Sequence, residues 1–470
     1  MKMFLAGEWV DGSRQIPVEN PFDSSVIDTV PRAGAGEVER ALDFAAKGAP
    51  VMKRLPAHER WLRLKRGAEL LEKRAEDLAR TITLEEGKIL AESRFEVSRA
   101  VATLTESAEE AKRIFGEVVP LDAAPGAGNR FGFTIRVPCG VVVAISPFNF
   151  PLNLVAHKVG PALAAGNSVI LKPATDTPLT ALKLTEILLE AGMPPEGIQC
   201  LTGSGGDIGD ALCSDSRVRK ITFTGSRDVG EHICKVAGLK KVTMELGSNS
   251  PLIVLPDADL EKAAQAIAAT GFANAGQVCI SAQRILPLRK IYADLVNIVK
   301  PRVESISTGN PLDESTGMGP MIREKDAQRV SEWVSEAVEA GARLVTGGSR
   351  RGAFHAPTVL TDVDPRLRVS SEELFGPAVT FTPVDTVDEA IALANDTRYG
   401  LSAAIFTESL ESAMRFAREV ESGNLHINLG PQWRADLMPY GGLKESGFGK
   451  EGPRYAVQEM TETKMVVMHL

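Results

Sequence analysis

The chain is expected to fold as an α/β protein built on a doubly wound, mostly parallel sheet, and three features of the sequence lead there. Four short runs, VVVAI (141–145), SVIL (168–171), KITF (220–223) and LIVL (252–255), are almost wholly apolar, as strands buried on both faces must be. Helical stretches separate them, such as LTALKLTEILLEAG at 179–192, which closes on a glycine suited to a helix cap. The turns that follow the strands carry Gly, Ser, Asn and Pro, and in such sheets a ligand crevice opens at the strands' carboxyl ends.

Length and composition set the frame. At 470 residues the chain needs two or three packed units. Apolar residues make up 44% and charged ones 24%, ordinary values for a globular protein. A net charge of -8, with no Lys/Arg cluster interleaved with aromatics, argues against a nucleic-acid partner. The opening MKMFLAGEWVDGS turns polar early and no run approaches the roughly 20 apolar residues of a membrane span, so a cytoplasmic protein is expected. The five cysteines (139, 200, 213, 234, 279) are odd in number, scattered and never spaced C-x-x-C, so reduced thiols are expected rather than a disulfide framework or zinc site. The six histidines form no metal-binding cluster, and there is no G-x-S-x-G elbow.

Along the chain, Leu64, Ala68, Leu71, Ala75, Leu78 and Ile82 step by three and four, which predicts one helix with a single core-facing stripe. Residues 121–138, LDAAPGAGNRFGFTIRVP, interrupt the rhythm with a Gly/Pro turn followed by an alternating segment, the pattern of an edge strand or hairpin arm. A second α/β unit follows: residues 257–276 read as a helix leading into a cysteine turn, and 385–396 as a helix after a strand. No internal repeat or low-complexity tract is present.

The turns hold the candidates for chemistry. VVVAI runs into SPFNFP, where Pro151 suits a first helical position and Asn149 precedes it, either as a cap or as a donor. KITF runs into TGSRDVG, where Gly225 and Ser226 open a helix whose free N–H groups suit a phosphate. MELGSNSP puts Glu245 at a similar junction, and GQVCIS puts Cys279 between a glycine turn and an apolar run, where a thiol either packs or reacts.

Taken in order, SPFNFP at 146, KP at 172, FTGS at 223, MELG at 244, GQVC at 276, EELFGP at 372 and PYGG-x-K-x-SG-x-G at 439 resemble the aldehyde dehydrogenase superfamily, over essentially the whole chain. The resemblance implies that family's fold: a Rossmann-like cofactor-binding domain (1–119 and 139–246), an α/β catalytic domain (247–445), and a β oligomerisation arm with C-terminal segment (120–138 and 446–470). It implies oxidation of an aldehyde to an acid with NAD or NADP. Cys279 would attack the carbonyl, because a thiolate adduct can release hydride where a bare carbonyl cannot. Asn149 and the Cys279 backbone N–H would hold the oxyanion, and Glu245 would activate the hydrolytic water. For the cofactor it implies Ser146, Lys172, Thr175, Gly205, Gly225, Ser226, Glu373 and Phe375; for the substrate, Phe150, His157 and Arg434, with Lys158 unassigned. The arm and the C-terminal KMVVMHL imply a homodimer or homotetramer.

Two positions depart from the commoner pattern. Thr175 stands where NAD-restricted members carry a glutamate, which removes a charge that would repel a 2′-phosphate. Ser248 replaces the second glycine of ELGG. The 431–445 segment resembles the branch acting on lactaldehyde, glyceraldehyde 3-phosphate and phosphonoacetaldehyde, although Val278 stands where phosphate-selective relatives often have arginine. The alternatives are a coenzyme A-acylating enzyme, whose members lack the base glutamate, and a non-enzymatic structural protein, whose members tend to lose the cysteine.

Overall fold

The computed structural model describes residues 1–470. The first sheet has eight strands in the spatial order Glu8–Val10, Met3–Leu5, Ile198–Cys200, Ser168–Lys172, Val141–Ile145, Val218–Thr224, Lys241–Glu245 and Gly447–Phe448. Its five central strands run parallel, and the chain winds outward in both directions from Val141–Ile145. The order reverses between Val141–Ile145 and Val218–Thr224, and a crevice at the carboxyl ends there is the expected consequence.

The apolar runs have a direct physical cause. Val142 and Ala144 pack into one core, with the helices of 57–111 and 153–190. Val141, Val143 and Ile145 pack into another on the opposite face. A strand covered on both sides cannot alternate polar and apolar residues, and each fully buried aliphatic side chain contributes about 1.5–3 kcal/mol.

A second sheet of seven strands runs in the order Arg343–Thr346, Thr358–Thr361, Ala378–Phe381, Arg284–Pro287, Pro251–Val254, Ser402–Phe406 and Asn424–Ile427, with its own core. A third sheet joins Thr461–His469, Arg130–Pro138 and Val118–Val119, all antiparallel. Within the predicted arm, 121–123 form one tight helical turn and the strand itself begins at Arg130.

One helix expectation needs correction. The 64–82 stripe is divided between helices Ala57–Lys73 and Ala75–Glu86, broken at Arg74 (φ −104°, ψ 16°). The stripe survives the break because Leu64, Ala68, Leu71, Leu78 and Ile82 all enter the same core. The helix predicted at 257–276 begins at Leu260, capped by the Asp259 carboxylate, and ends at Phe272. The helix predicted at 385–396 spans Val387–Asn395, with the Thr386 hydroxyl accepting from the Glu389 N–H.

Candidate active site

Cys279 follows a turn of uncommon backbone. Asn274, Ala275 and Gly276 all lie in the left-handed region (φ +49°, +52° and +70°), at a cost of about 1–2 kcal/mol for each non-glycine residue. Neighbouring helices hold the turn in place. The Asn274 backbone N–H donates to the Glu92 carboxylate (3.1 Å) and its side-chain amide to Glu86 (2.9 Å) and the Asn149 carbonyl (3.3 Å). Only glycine fits at 276, because a Cβ there would stand 2.1 Å from the Gly376 carbonyl oxygen. Cys279 is partly open, and burial together with the nearby Glu245 pushes its thiol well above the ordinary range.

Asn149 reaches the same turn from the first sheet. Its amide nitrogen donates to the Gln277 carbonyl (2.8 Å), while the Cys279 backbone N–H makes no hydrogen bond within the chain. The carbonyl of Asn149 is gripped by the ammonium of Lys88 (2.6 Å), which also pairs with Glu96 (2.7 Å) and lies 3.9 Å from the Phe150 ring centre. Glu96 in turn accepts from the backbone N–H groups of Leu152 and Asn153 (2.8 and 3.1 Å), where the helix Asn153–Ala164 starts. Sequence reasoning did not single out Lys88 or Glu96, which lie 61 and 53 positions before Asn149 along the chain.

Glu245 ends the strand Lys241–Glu245, and both its carboxylate oxygens are buried without a partner. Burial first, and then the charge of Glu451, raise its pKa to about 8. Glu451 itself stays ionised despite burial, because Lys158 (2.9 Å) and Arg434 (3.2 Å) both pair with it. Lys158, unassigned from sequence, is thus the buried counter-ion of Glu451 and also donates to the Thr224 hydroxyl (2.6 Å). Ser248 needs no glycine-like backbone. Its φ is not positive, its N–H donates to Glu373 (3.0 Å), and its hydroxyl meets that of Ser250 (3.4 Å). Gly247 beside it is crowded by the same carboxylate: a Cβ would lie 2.2 Å from a Glu373 oxygen, so that side chain would have to shift.

Two chambers meet at Cys279 and Glu245. The larger, about 1010 Å³, lies at the switch point of the first sheet, and all eight residues assigned to the cofactor line it. Ser146 and Lys172 stand at strand ends; the Ser146 hydroxyl is buried without a partner, and burial brings the Lys172 ammonium down to about 8. Ser226 precedes the helix Arg227–Ala237 without capping it, leaving its first N–H groups open, and Gly225 is crowded such that a Cβ would lie 2.5 Å from the Phe223 ring. Gly205 is the first residue of the helix Gly205–Ser214. Phe375, itself at φ +46°, stands edge-on to Phe148 (ring centres 5.9 Å apart). Glu373, raised to about 7 by burial, lies beside it. The open helix end and the unpartnered hydroxyl fit an anionic dinucleotide. Arg323 and Trp333 line this cleft too and were not foreseen; Arg323 is paired with Asp176.

The smaller chamber, about 160 Å³, lies on the other side of Cys279 and is bounded by Phe150, Arg434, Tyr440 and Arg99. Arg434 departs from expectation. It is buried, with one terminal nitrogen engaged by Glu451 (3.2 Å) and His157 (3.3 Å), so only part of its donor fork faces the chamber; its Nε is buried and unpartnered. His157, implied as a substrate residue by the resemblance, does not line the chamber. Its helix is buried all round, and the ring is wedged behind Arg434, with Nε2 on Asp436 (2.9 Å). Burial, with Arg434 adjacent, lowers His157 to about 4. A neutral ring donates to Asp436 and accepts from Arg434. Arg99 pairs with the same Asp436 (2.8 Å).

The match to known proteins agrees with this geometry. The model of the aldehyde dehydrogenase family matches residues 9–466. The chain belongs to the aldehyde dehydrogenase family. The enzyme is 50% identical to the 3-sulfolactaldehyde dehydrogenase of Priestia aryabhattai over 468 residues, covering 100% of this chain and 98% of that protein. It superposes with a TM-score of 0.97 on aldehyde dehydrogenase 21 of Physcomitrella patens in complex with the reaction product succinate, at 41% identity and covering 100% and 98% of the two chains. With the NADP complex of the glyceraldehyde-3-phosphate dehydrogenase GapN of Methanocaldococcus jannaschii the TM-score is 0.94, at 38% identity over 97% and 100% of the chains. The enzyme is therefore an NAD(P)-dependent aldehyde dehydrogenase with the aldehyde dehydrogenase fold. No helix is long and apolar enough to cross a membrane.

Proposed function

We propose that Cys279 is the nucleophile, Asn149 the oxyanion donor and Glu245 the general base of an aldehyde oxidation that ends in hydrolysis. The observation that carries this reading is the meeting of the two chambers at Cys279 and Glu245. The thiolate of Cys279 adds to the aldehyde carbon from the small chamber. The resulting alkoxide is held by the free backbone N–H of Cys279 and the second N–H of the Asn149 amide. Ser146, Lys172, Thr175, Gly205, Gly225, Ser226, Glu373 and Phe375 bind and orient the nicotinamide cofactor, whose chemistry is to accept the hydride. Glu245, with no hydrogen-bond partner of its own, then takes a proton from the water that attacks the thioester.

The presence of Glu245 favours water over coenzyme A as acceptor of the acyl group. The check is the yield of reduced cofactor with a generic aldehyde, with and without coenzyme A: hydrolysis predicts the same rate in both.

The substrate proposed is a small aldehyde bearing a hydroxyl or an anionic group. The small chamber admits little else, and the unpartnered Arg434 Nε, with Arg99 nearby, offers cationic donors. His157 and Asp436 act behind Arg434, fixing its direction. The relative named for sulfolactaldehyde supports such a substrate. Arg434→Ala is expected to lower kcat/KM about 10- to 100-fold more for an anionic aldehyde than for a neutral one of equal length, the scale of a lost charge-assisted hydrogen bond. Equal losses would remove Arg434 from substrate recognition. The three sheets support a division into cofactor-binding, catalytic and arm regions, with Gly447–Phe448 of the expected 446–470 segment joined to the first sheet instead. The arm favours a homodimer or homotetramer, and a cytoplasmic location is part of the proposal.

A further inference from the structure

The geometry points to Tyr440 as a further catalytic residue, its hydroxyl donating a hydrogen bond to the sulfur of Cys279 and holding it as thiolate. This inference rests on the reading of Cys279 as nucleophile. The Tyr440 Oη lies 3.6 Å from the Cys279 Sγ, and the sulfur is the only hydrogen-bond partner that hydroxyl has. A neutral thiol could donate or accept in this pair. A thiolate can only accept, so ionisation of Cys279 commits the phenol hydrogen to the sulfur.

The rest of the surroundings keep the ring in that position. Tyr440 is 1% exposed. Its backbone pairs in both directions with Glu451 (3.2 and 2.7 Å), and the guanidinium of Arg434 stacks 3.9 Å from the ring centre. A cation over the ring face draws electron density from the phenol and strengthens it as a donor. Val278, Ile280 and Leu401 pack against it on the apolar side. A phenylalanine would fill the same volume; the hydroxyl adds only the contact with sulfur.

The charged and titratable groups facing this pair are Glu245, Glu373 and Arg434, with Lys158 and Glu451 behind Glu245 and Arg434. Glu245 and Glu373 oppose the thiolate when ionised, whereas Arg434 and the Tyr440 hydrogen bond favour it. Removing the hydroxyl leaves the three charged neighbours in place, so its contribution can be isolated.

The test is the pH profile of Cys279 alkylation by iodoacetamide in the full-length enzyme, with and without NADP, read from the mass of the Cys279 peptide. In Tyr440→Phe the apparent thiol pKa is expected to rise by about one unit, and the alkylation rate at pH 7 to fall about tenfold, the effect of losing one hydrogen bond to a charged group. The burst of reduced cofactor should slow by the same factor at pH 7 and recover as pH rises, a rescue that a merely structural role would not produce. Superimposable alkylation profiles for wild type and Tyr440→Phe, with melting temperatures unchanged, would overturn the inference. Cys279→Ser separates the two claims: continued turnover in that variant defeats the nucleophile reading, whereas the alkylation profile reports on Tyr440 independently of turnover.

Discussion

Thr175 stands in the large cleft with its hydroxyl donating to the Gly203 carbonyl (3.3 Å), and Lys172 lies three residues before it. A hydroxyl suits a ribose hydroxyl or a phosphate equally, so NADP is expected to be used at least comparably with NAD. Thr175→Glu should penalise NADP by about 1–3 kcal/mol relative to NAD, read from the ratio of the two kcat/KM values. An unchanged ratio would show that Thr175 does not set cofactor choice. Glu245 has a pH consequence of its own. Burial and Glu451 raise its pKa to about 8, and a base works only when deprotonated, so the hydrolytic step should accelerate as pH rises through about 8 and slow below it. Single-turnover hydrolysis of the acylated enzyme against pH measures this, and a flat profile between pH 6 and 9 would contradict it.

The elements that present these residues are held by buried ion pairs. Lys88 and Glu96 are both essentially inaccessible and join the Asn149 loop to the start of the helix Asn153–Ala164. Lys88→Met leaves the Glu96 charge uncompensated, which should destabilise the fold by about 3–5 kcal/mol. The double variant with Glu96→Gln should regain part of that, as read by denaturant or thermal unfolding. How far such features can be read from sequence depends on distance along the chain. The strands at 141, 168, 220 and 252 were legible because burial on both faces leaves an unbroken apolar run. The break at Arg74 was not, because the residues on either side enter one core and the periodicity carries across it. That Cys279, Tyr440 and Arg434 form one cluster gave no local signal, since the latter two lie 161 and 155 positions after the cysteine and share one chamber only in the folded chain. The burial of Arg434 was hidden for the same reason: its counter-ion Glu451 looks like a surface carboxylate until Lys158 is placed opposite it.

At the scale of the whole molecule, the arm leaves apolar side chains uncovered. Phe131, Ile135, Met465, Val467 and Met468 on its two long strands are each 40–47% exposed. A flat, apolar sheet of this kind is a liability unless another surface covers it. Light scattering is expected to give a dimer or a dimer of dimers, and a stable monomer at micromolar concentration would contradict this. The most direct test of the account concerns the division of labour where the two chambers meet. Stopped-flow absorbance of reduced cofactor, with aldehyde and NADP in excess, should show no production in Cys279→Ala. In Glu245→Gln it should show a burst of about one equivalent per active site followed by a stall at the thioester. Steady turnover near the wild-type rate in either variant would contradict the assignment of nucleophile and base.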